Sequence, residues 1–407
     1  MDQKTLEKLV ETSDRLSYDL AQAEKFQESI NQSLITLSLL GFDHPYVLRN
    51  LADLYFRIGN PEISVEYFTK YLNITKSNNK DDIRTLAQYL TRSGRMDEAH
   101  DVVKNYQVEC IEKHLDLGWF LHREGKFKQA FYETEIGRNG SVWLGDRQPP
   151  ECERWTGQDL TGKKVCAIGE AGLGDEIIFC RWIKDIKQRG ADVYYYTNNS
   201  LKDVITRELG VNYYDPKIKY DYWIPLMSLP YLLGLESPGN EKYFSPHPTY
   251  VDKWKSKFLG HKNIIALNWS GDPKHMENKF RTIPIDYLVN KLKDQGTLVS
   301  VCMSAESCPE GVIDLTKDIK HWDDTLAILS LSKTCFTASS SVSVAAGALG
   351  IETYLYDLVV GYFTWSSAPN GGLSSWFPNV RVWRQEKFNE WLPVIDQSID
   401  YYLSRSR

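Results

Sequence analysis

The chain has 407 residues, 42% hydrophobic and 25% charged, a globular composition too long for one ordinary core, so two or three domains are expected. A net charge of −6 excludes a wholly basic surface for nucleic acid and leaves only a local basic groove. The seven cysteines show neither CxxC nor zinc-like spacing, no run approaches the roughly 18 apolar residues of a membrane span, and Met1-Asp2-Gln3-Lys4 lacks an apolar signal core, so reduced thiols and a cytoplasmic location are expected.

The first third repeats itself. Gly59, Gly94 and Gly125 stand 35 and then 31 residues apart. Ahead of them lie Leu51-Ala52, Leu86-Ala87 and Leu117-Gly118, with Tyr55, Leu90 and Leu121 one turn later. Five residues beyond each glycine comes Ser64, Ala99 or Ala130, then Phe68, Val103 or Thr134. Small residues let paired helices approach closely, and large ones fill the groove between hairpins. A degenerate first unit fits at the same offset through Leu16-Ser17, Leu20 and Ser29, with Glu24 in place of the glycine. This pattern resembles tetratricopeptide repeats. The short last spacing predicts an irregular second helix in the third pair.

Turn signals follow at Asn139-Gly140, Gly145-Asp146, Pro149-Pro150 and Thr161-Gly162. We divide the chain into helical repeats over 1–145, a linker over 146–162, and two α/β domains over 163–250 and 251–407. The spacing predicts a strand over 163–169, a helix over 176–189, and strands over 192–197 and 220–226. A second set follows: strands over 263–269, 297–303, 333–337 and 352–356, with helices over 285–295, 323–331 and 342–349. A last helix is expected over 387–404. The implied fold class is an α-hairpin array followed by two doubly wound α/β domains with a crevice between them.

The segment Gly169-Glu170-Ala171-Gly172-Leu173-Gly174-Asp175-Glu176 carries the chemistry of a strand–turn–helix. Its glycines permit close backbone approach. An acid at a helix start is favoured by the dipole, which is expected to keep Asp175 ionised for work as a general base. Read alone, such a segment is more often a turn with a helix cap than a site. Gly172-Leu173-Gly174-Asp175 followed by Phe179 and Arg181 resembles the N-terminal motif of the ADP-heptose:lipopolysaccharide heptosyltransferase superfamily, and more closely its tetratricopeptide-linked relatives. The segment from Tyr220 to Pro230, Ala266-Leu267-Asn268-Trp269-Ser270-Gly271, Lys279-Phe280-Arg281-Thr282-Ile283-Pro284 and the run from Thr337 to Gly350 resemble later motifs of the same superfamily.

The resemblance implies a GT-B glycosyltransferase with Asp175 as base and Glu170, Glu176 and Arg181 on the acceptor side. It places the donor at Ser270, Gly271, Lys279, Arg281, Ser339, Ser340 and Ser341. The two cations would neutralise charge on the leaving diphosphate. The superfamily carries an Asp-Thr turn and a following His where this chain has Ser339-Ser340 and Val344, which weighs against heptose as the sugar. No Asp-x-Asp metal motif stands at a strand end, and Asp323-Asp324 reads as a helix start, so no metal is expected. The only co-substrate expected is a nucleoside-diphosphate sugar. The acceptor is a saccharide, a protein held by the repeats, or a hydroxylated DNA base, the last kept open by Lys253, Lys255, Lys257 and Lys262. The repeats also suit a protein partner or self-association. The competing expectation is a non-catalytic scaffold of repeats and GT-B domain.

Overall fold

The structure, a computed structural model, describes residues 3–107, 109–138, 144–197, 200–275 and 278–405. The expected turn at Asn139-Gly140 lies outside them. Two compact units divide the chain: Met1–Lys113 with Glu386–Glu390, and His114–Gln385 with Trp391–Arg407.

The first unit is built of antiparallel helix pairs, α1 (Gln3–Gln22) with α2 (Phe26–Leu40), α3 (Pro45–Arg57) with α4 (Pro61–Thr75), and α5 (Lys80–Arg92) with α6 (Met96–Lys104). Prolines at the first position open α3 and α4, where no backbone donor is needed. Asn79 caps α5 by accepting from the Asp82 N–H. The pattern residues sit as expected: Leu51, Ala52, Ser64 and Phe68 are fully buried. Gly59 and Gly94 close their hairpins at φ +83° and +78°. Glu24, standing where the first pair lacks its glycine, takes φ +57°, a strained left-handed conformation for a residue with a Cβ. Ser17 and Ser29 meet at 3.0 Å across α1 and α2, within a buried hydroxyl cluster that includes Ser13, Ser33 and Thr36. The segment 386–390 joins this unit, with the Phe388 ring 3.4 Å from where a Cβ on Gly59 would stand.

The fourth pair, α7 (Ile111–Arg123) and α8 (Phe127–Arg138), which is the third of the glycine-anchored repeats and carries Gly125, lies mostly in the second unit. Its second helix, expected to be irregular, is an unbroken twelve-residue helix. The shortening falls instead on α6, which has nine residues.

The rest of the second unit holds two sheets. The first contains β1 (Glu153–Arg154), β2 (Lys164–Ile168), β3 (Asp192–Tyr196), β4 (Asn212–Tyr213) and β5 (Tyr222–Pro225), all parallel in the order β1-β5-β2-β3-β4. Its helices are α9 (Leu173–Cys180), α10 (Ile183–Gln188), α11 (Lys202–Leu209) and the short α12 (Leu229–Leu232). The helix expected over 176–189 is thus two helices, starting three residues earlier and interrupted at Arg181-Trp182.

After α13 (Pro248–Lys257), the second sheet contains β6 (Ile265–Asn268), β7 (Leu298–Ser300), β8 (Ile313–Asp314), β9 (Thr334–Ala338), β10 (Thr353–Asp357), β11 (Gly372–Leu373) and β12 (Val380–Arg384). The order is β11-β12-β10-β9-β6-β7-β8, with only β11 antiparallel. Numbering β6, β7, β8, β9, β10 and β12 from one to six gives the order 3-2-1-4-5-6, the doubly wound arrangement whose chain reverses direction between strands one and four. Every residue of β6, β9 and β10 is buried, as a parallel sheet covered on both faces requires. Its helices are α14 (Asn278–Arg281), α15 (Ile285–Leu292), α16 (Trp322–Leu331), α17 (Ser341–Leu349), α18 (Phe363–Ser366) and α19 (Leu392–Arg405). The final helix begins later than expected. It packs on β10, β12 and α15, because Val394, Ile395, Ile399 and Tyr402 bury into that sheet's core.

Candidate active site

Helix α9, which follows β2 of the first sheet, packs against α17, which follows β9 of the second. Gly174, in the first turn of α9, would place a Cβ 3.7 Å from Ser341 Cα and from Val344 Cγ2. Two helix N-termini therefore lie side by side, each following the carboxyl end of a parallel strand. This is the place in an open α/β sheet where ligands bind, and where backbone N–H groups face an anion.

Asp175 sits in the first turn of α9, and its Oδ2 accepts the Gly172 N–H at 3.1 Å. Its Oδ1 accepts the hydroxyl of Tyr362, from the loop between β10 and α18. The carboxyl keeps a partly open edge, yet the surrounding protein desolvates it. That desolvation pushes its pKa up, against the lowering by the Tyr362 and Gly172 hydrogen bonds. The sequence led to the expectation that the helix dipole sets this acid's titration; burial instead raises its pKa above the ordinary carboxylate value.

The two neighbouring acids are not at the cleft surface. Glu170 is buried, accepting from Arg138 of α8 and, at 2.9 Å, from the Met227 N–H beyond β5. Glu176 is buried against Arg147 at 3.1 Å and the Tyr195 hydroxyl. Gly169 makes room for it, since a Cβ there would stand 2.4 Å from the Glu176 carboxyl. Arg181, also expected on the acceptor side, is buried as a cross-link. It donates to the carbonyls of Ile178, Pro238 and Trp376 and to the Tyr243 hydroxyl, and stacks on Tyr243 and Phe377 at 4.6 and 4.5 Å. All three side chains are buried and hydrogen-bonded within the protein.

On the second sheet, Asn268 ends β6 and donates to Thr337 Oγ1 (3.1 Å) and Ser340 Oγ (3.0 Å), tying strands one and four together at the reversal point. Ser340 caps α17 by accepting from the Val342 N–H at 3.2 Å. Ser339 accepts from the buried Trp365 Nε1 at 3.1 Å. Among the described residues, the Ser341 hydroxyl has no hydrogen-bond partner, so of the three expected serines it alone is uncommitted.

Ser270 and Gly271 leave β6 in a loop stitched by Asn278. The Asn278 amide donates to Ser270 Oγ at 3.0 Å, and its Oδ1 accepts from the Gly271 N–H at 2.9 Å and from Arg281 Nε at 3.1 Å. The Arg281 guanidinium packs against Gly271: a Cβ there would stand 2.4 Å from its Nη2. Among the described residues this half-buried cation forms no ion pair. Burial lowers its pKa, only partly offset by Asp272. Lys279 is exposed, its Nζ 4.8 Å from the Phe280 ring centre. Of the surface lysines, Lys253 and Lys257 are paired with Asp324 and Asp318 at 2.6 Å. Asp323 and Asp324 do open a helix, as expected.

No family model matches the chain. The curated protein FlbA of Caulobacter vibrioides is 24% identical over 326 residues, covering 66% of this chain. The chain spans about half of that relative's length, 53%. Among solved structures, ADP-heptose lipopolysaccharide heptosyltransferase II of E. coli aligns over 59% of this chain and 98% of its own, at 11% identity and a TM-score of 0.44. MamA aligns over 32% of this chain and 78% of its own, at 13% identity and a TM-score of 0.29.

Sequence reasoning missed Tyr362, Asn268 and Asn278 as site residues. Tyr362 had one signal: it follows a buried strand of a doubly wound sheet, where the loops at the carboxyl ends gather. Asn268 lies inside the 266–271 motif and Asn278 directly precedes the 279–284 motif, and only their contacts reveal their work. Among the described residues, no group of three or more His, Cys, Asp or Glu side chains is placed to hold a metal ion, and no helix is long and apolar enough to cross a membrane. All seven cysteines are free, four of them buried.

Proposed function

We propose that the chain is a GT-B glycosyltransferase that moves a sugar from a nucleoside-diphosphate sugar to an acceptor hydroxyl, with inversion. Asp175 takes the proton of the attacking hydroxyl. Its raised pKa suits that role, because a stronger base accepts the proton more readily once ionised. Arg281, with Lys279 beside it, receives the charge that develops on the leaving diphosphate. Ser341 and the N-terminus of α17 add a hydroxyl and backbone N–H groups. Ser270, Gly271, Ser339 and Ser340 hold the backbone that presents these donors.

The observation that carries this reading is Arg281, a half-buried cation that forms no ion pair among the described residues and has its charge only partly offset by Asp272, packed on a glycine beyond the first strand of a doubly wound sheet. A partly buried cation there favours an anionic ligand. The acceptor hydroxyl belongs to a saccharide, a protein or a hydroxylated DNA base; the pairing of Lys253 and Lys257 weighs against the DNA base. One observation favours the scaffold instead. Val344, where the superfamily motif has its His, packs toward Gly174 of α9 and offers no polar atom to a ligand.

The test is a thermal-shift panel of nucleotide sugars and free nucleoside diphosphates on the full chain. A ligand that binds only the folded state raises the melting temperature by mass action. One nucleotide family is expected to raise it, and Arg281→Ala to remove most of that rise. No rise across the panel, with and without candidate acceptors, would favour the scaffold.

A further inference from the structure

We propose that Tyr362 makes the site choose an acceptor hydroxyl over water, by filling the acceptor's place on Asp175 until an acceptor displaces it. This rests on the glycosyl-transfer reading and goes beyond it. Both carboxylate oxygens of Asp175 are engaged. Oδ2 is tied to the backbone of its own turn, and Oδ1 accepts the Tyr362 phenol. Oδ1 is therefore the oxygen available to take a substrate proton, and a hydroxyl already occupies it. A phenol O–H donating to a carboxylate has the geometry of an acceptor alcohol awaiting deprotonation.

The loop that carries the phenol is anchored on both sides. Before Tyr362, the Gly361 carbonyl accepts from Trp119 Nε1 of α7 at 3.1 Å. After it, α18 is fixed by Trp365 Nε1 on Ser339 Oγ, one residue from the cap of α17. Tyr362 is thus held between the base and the serine turn of the second sheet. Its side chain is free to leave, because the residue is 44% exposed and rotation about its side-chain bonds carries the ring into solvent without unfolding the loop. Release exchanges one hydrogen bond on Asp175 for another, so an acceptor hydroxyl can compete on even terms.

Water, smaller and without further contacts to the site, gains nothing to offset displacement of the ring. The side reaction thereby suppressed is hydrolysis. A water oxygen would bond to the anomeric carbon as the bond from that carbon to the phosphate oxygen breaks. Asp175 would take the water proton, and free sugar and nucleoside diphosphate would leave.

The experiment uses the full chain with a nucleotide sugar that shifts its melting temperature, no acceptor, and chromatographic detection of released nucleoside diphosphate. It is run near pH 8, well above the ordinary carboxylate range. Tyr362→Phe removes the hydroxyl and Tyr362→Ala also removes the cover. The expected result is acceptor-independent hydrolysis raised about tenfold, the scale of one hydrogen bond, with the donor-induced shift preserved in both variants. Trp119→Phe, which loosens the loop from outside the site, should raise hydrolysis in the same direction. Unchanged hydrolysis in folded, donor-binding variants overturns the proposal. So does a sugar found covalently on Tyr362 by peptide mass spectrometry, because the phenol would then be an acceptor and not a guard. If no nucleotide sugar shifts the wild-type chain, the glycosyl-transfer reading itself fails first, and the two failures are told apart.

Discussion

Gly271 shows how one missing methyl group can serve a site. A Cβ there would collide with the Arg281 guanidinium at 2.4 Å, but that group is the end of a flexible side chain and can swing aside. Gly271→Ala is therefore expected to leave the melting temperature almost unchanged while weakening donor binding, measured by titration calorimetry, at least about tenfold through a displaced cation. Asp175 has the opposite character. Its folded pKa is raised, so the ionised form costs stability. That cost is present above the folded pKa and disappears as pH falls below the ordinary value of 3.8. Asp175→Asn keeps an acceptor for the Gly172 N–H and removes the charge. Its melting temperature should exceed wild type at neutral pH, with the gain shrinking toward pH 4. A lower melting temperature at all pH values would contradict the raised pKa. Stability given up at a functional group is the usual mark of an active site.

At the scale of elements, the repeat register was readable because its physics is local: a small residue where helices touch, a glycine where φ turns positive. Glu24 is the exception that tests this. Glu24→Gly should raise stability by about 0.5–1 kcal/mol in denaturant unfolding, the left-handed strain relieved less the added freedom of the unfolded chain. The α7–α8 pair carries a different device. His122 is buried among Phe127, Phe131, Phe363 and Trp376, its Nδ1 has no hydrogen-bond partner among the described residues, and burial pushes its pKa down to about 3. A depressed histidine contributes stability that is complete above its ordinary 6.5 and lost as pH falls toward 3. Between pH 7 and pH 4 wild type should lose about 3 kcal/mol more than His122→Phe in parallel unfolding curves. Equal losses would place the ring in a wetter setting. The break at Arg181-Trp182 was not legible, because apolar periodicity runs straight through it. Partners far away in sequence, the carbonyls of Pro238 and Trp376 and the Tyr243 hydroxyl, pull Arg181 inward.

Across the whole molecule, the alternation of strands and helices announced two doubly wound sheets, and the structure delivers them with strand orders no periodicity could supply. Asp175, Arg281 and the serine turn were visible as motifs. What stayed hidden was which charges face outward. Glu170 and Glu176 look equivalent to Asp175 in sequence, yet Arg138 and Arg147 neutralise them below the turn. Those arginines lie in or just after the last helix pair, so a segment that reads as a separate repeat in fact completes the base of the site.

The most direct measurement is turnover of a bound nucleotide sugar, with acceptor, by wild type and Asp175→Asn, alongside donor affinity for both. Donor affinity is expected to be unchanged and turnover to fall about 10²–10⁴-fold, the usual contribution of a general base. Equal turnover by the two proteins would contradict Asp175 as the base and, with it, the proposed mechanism.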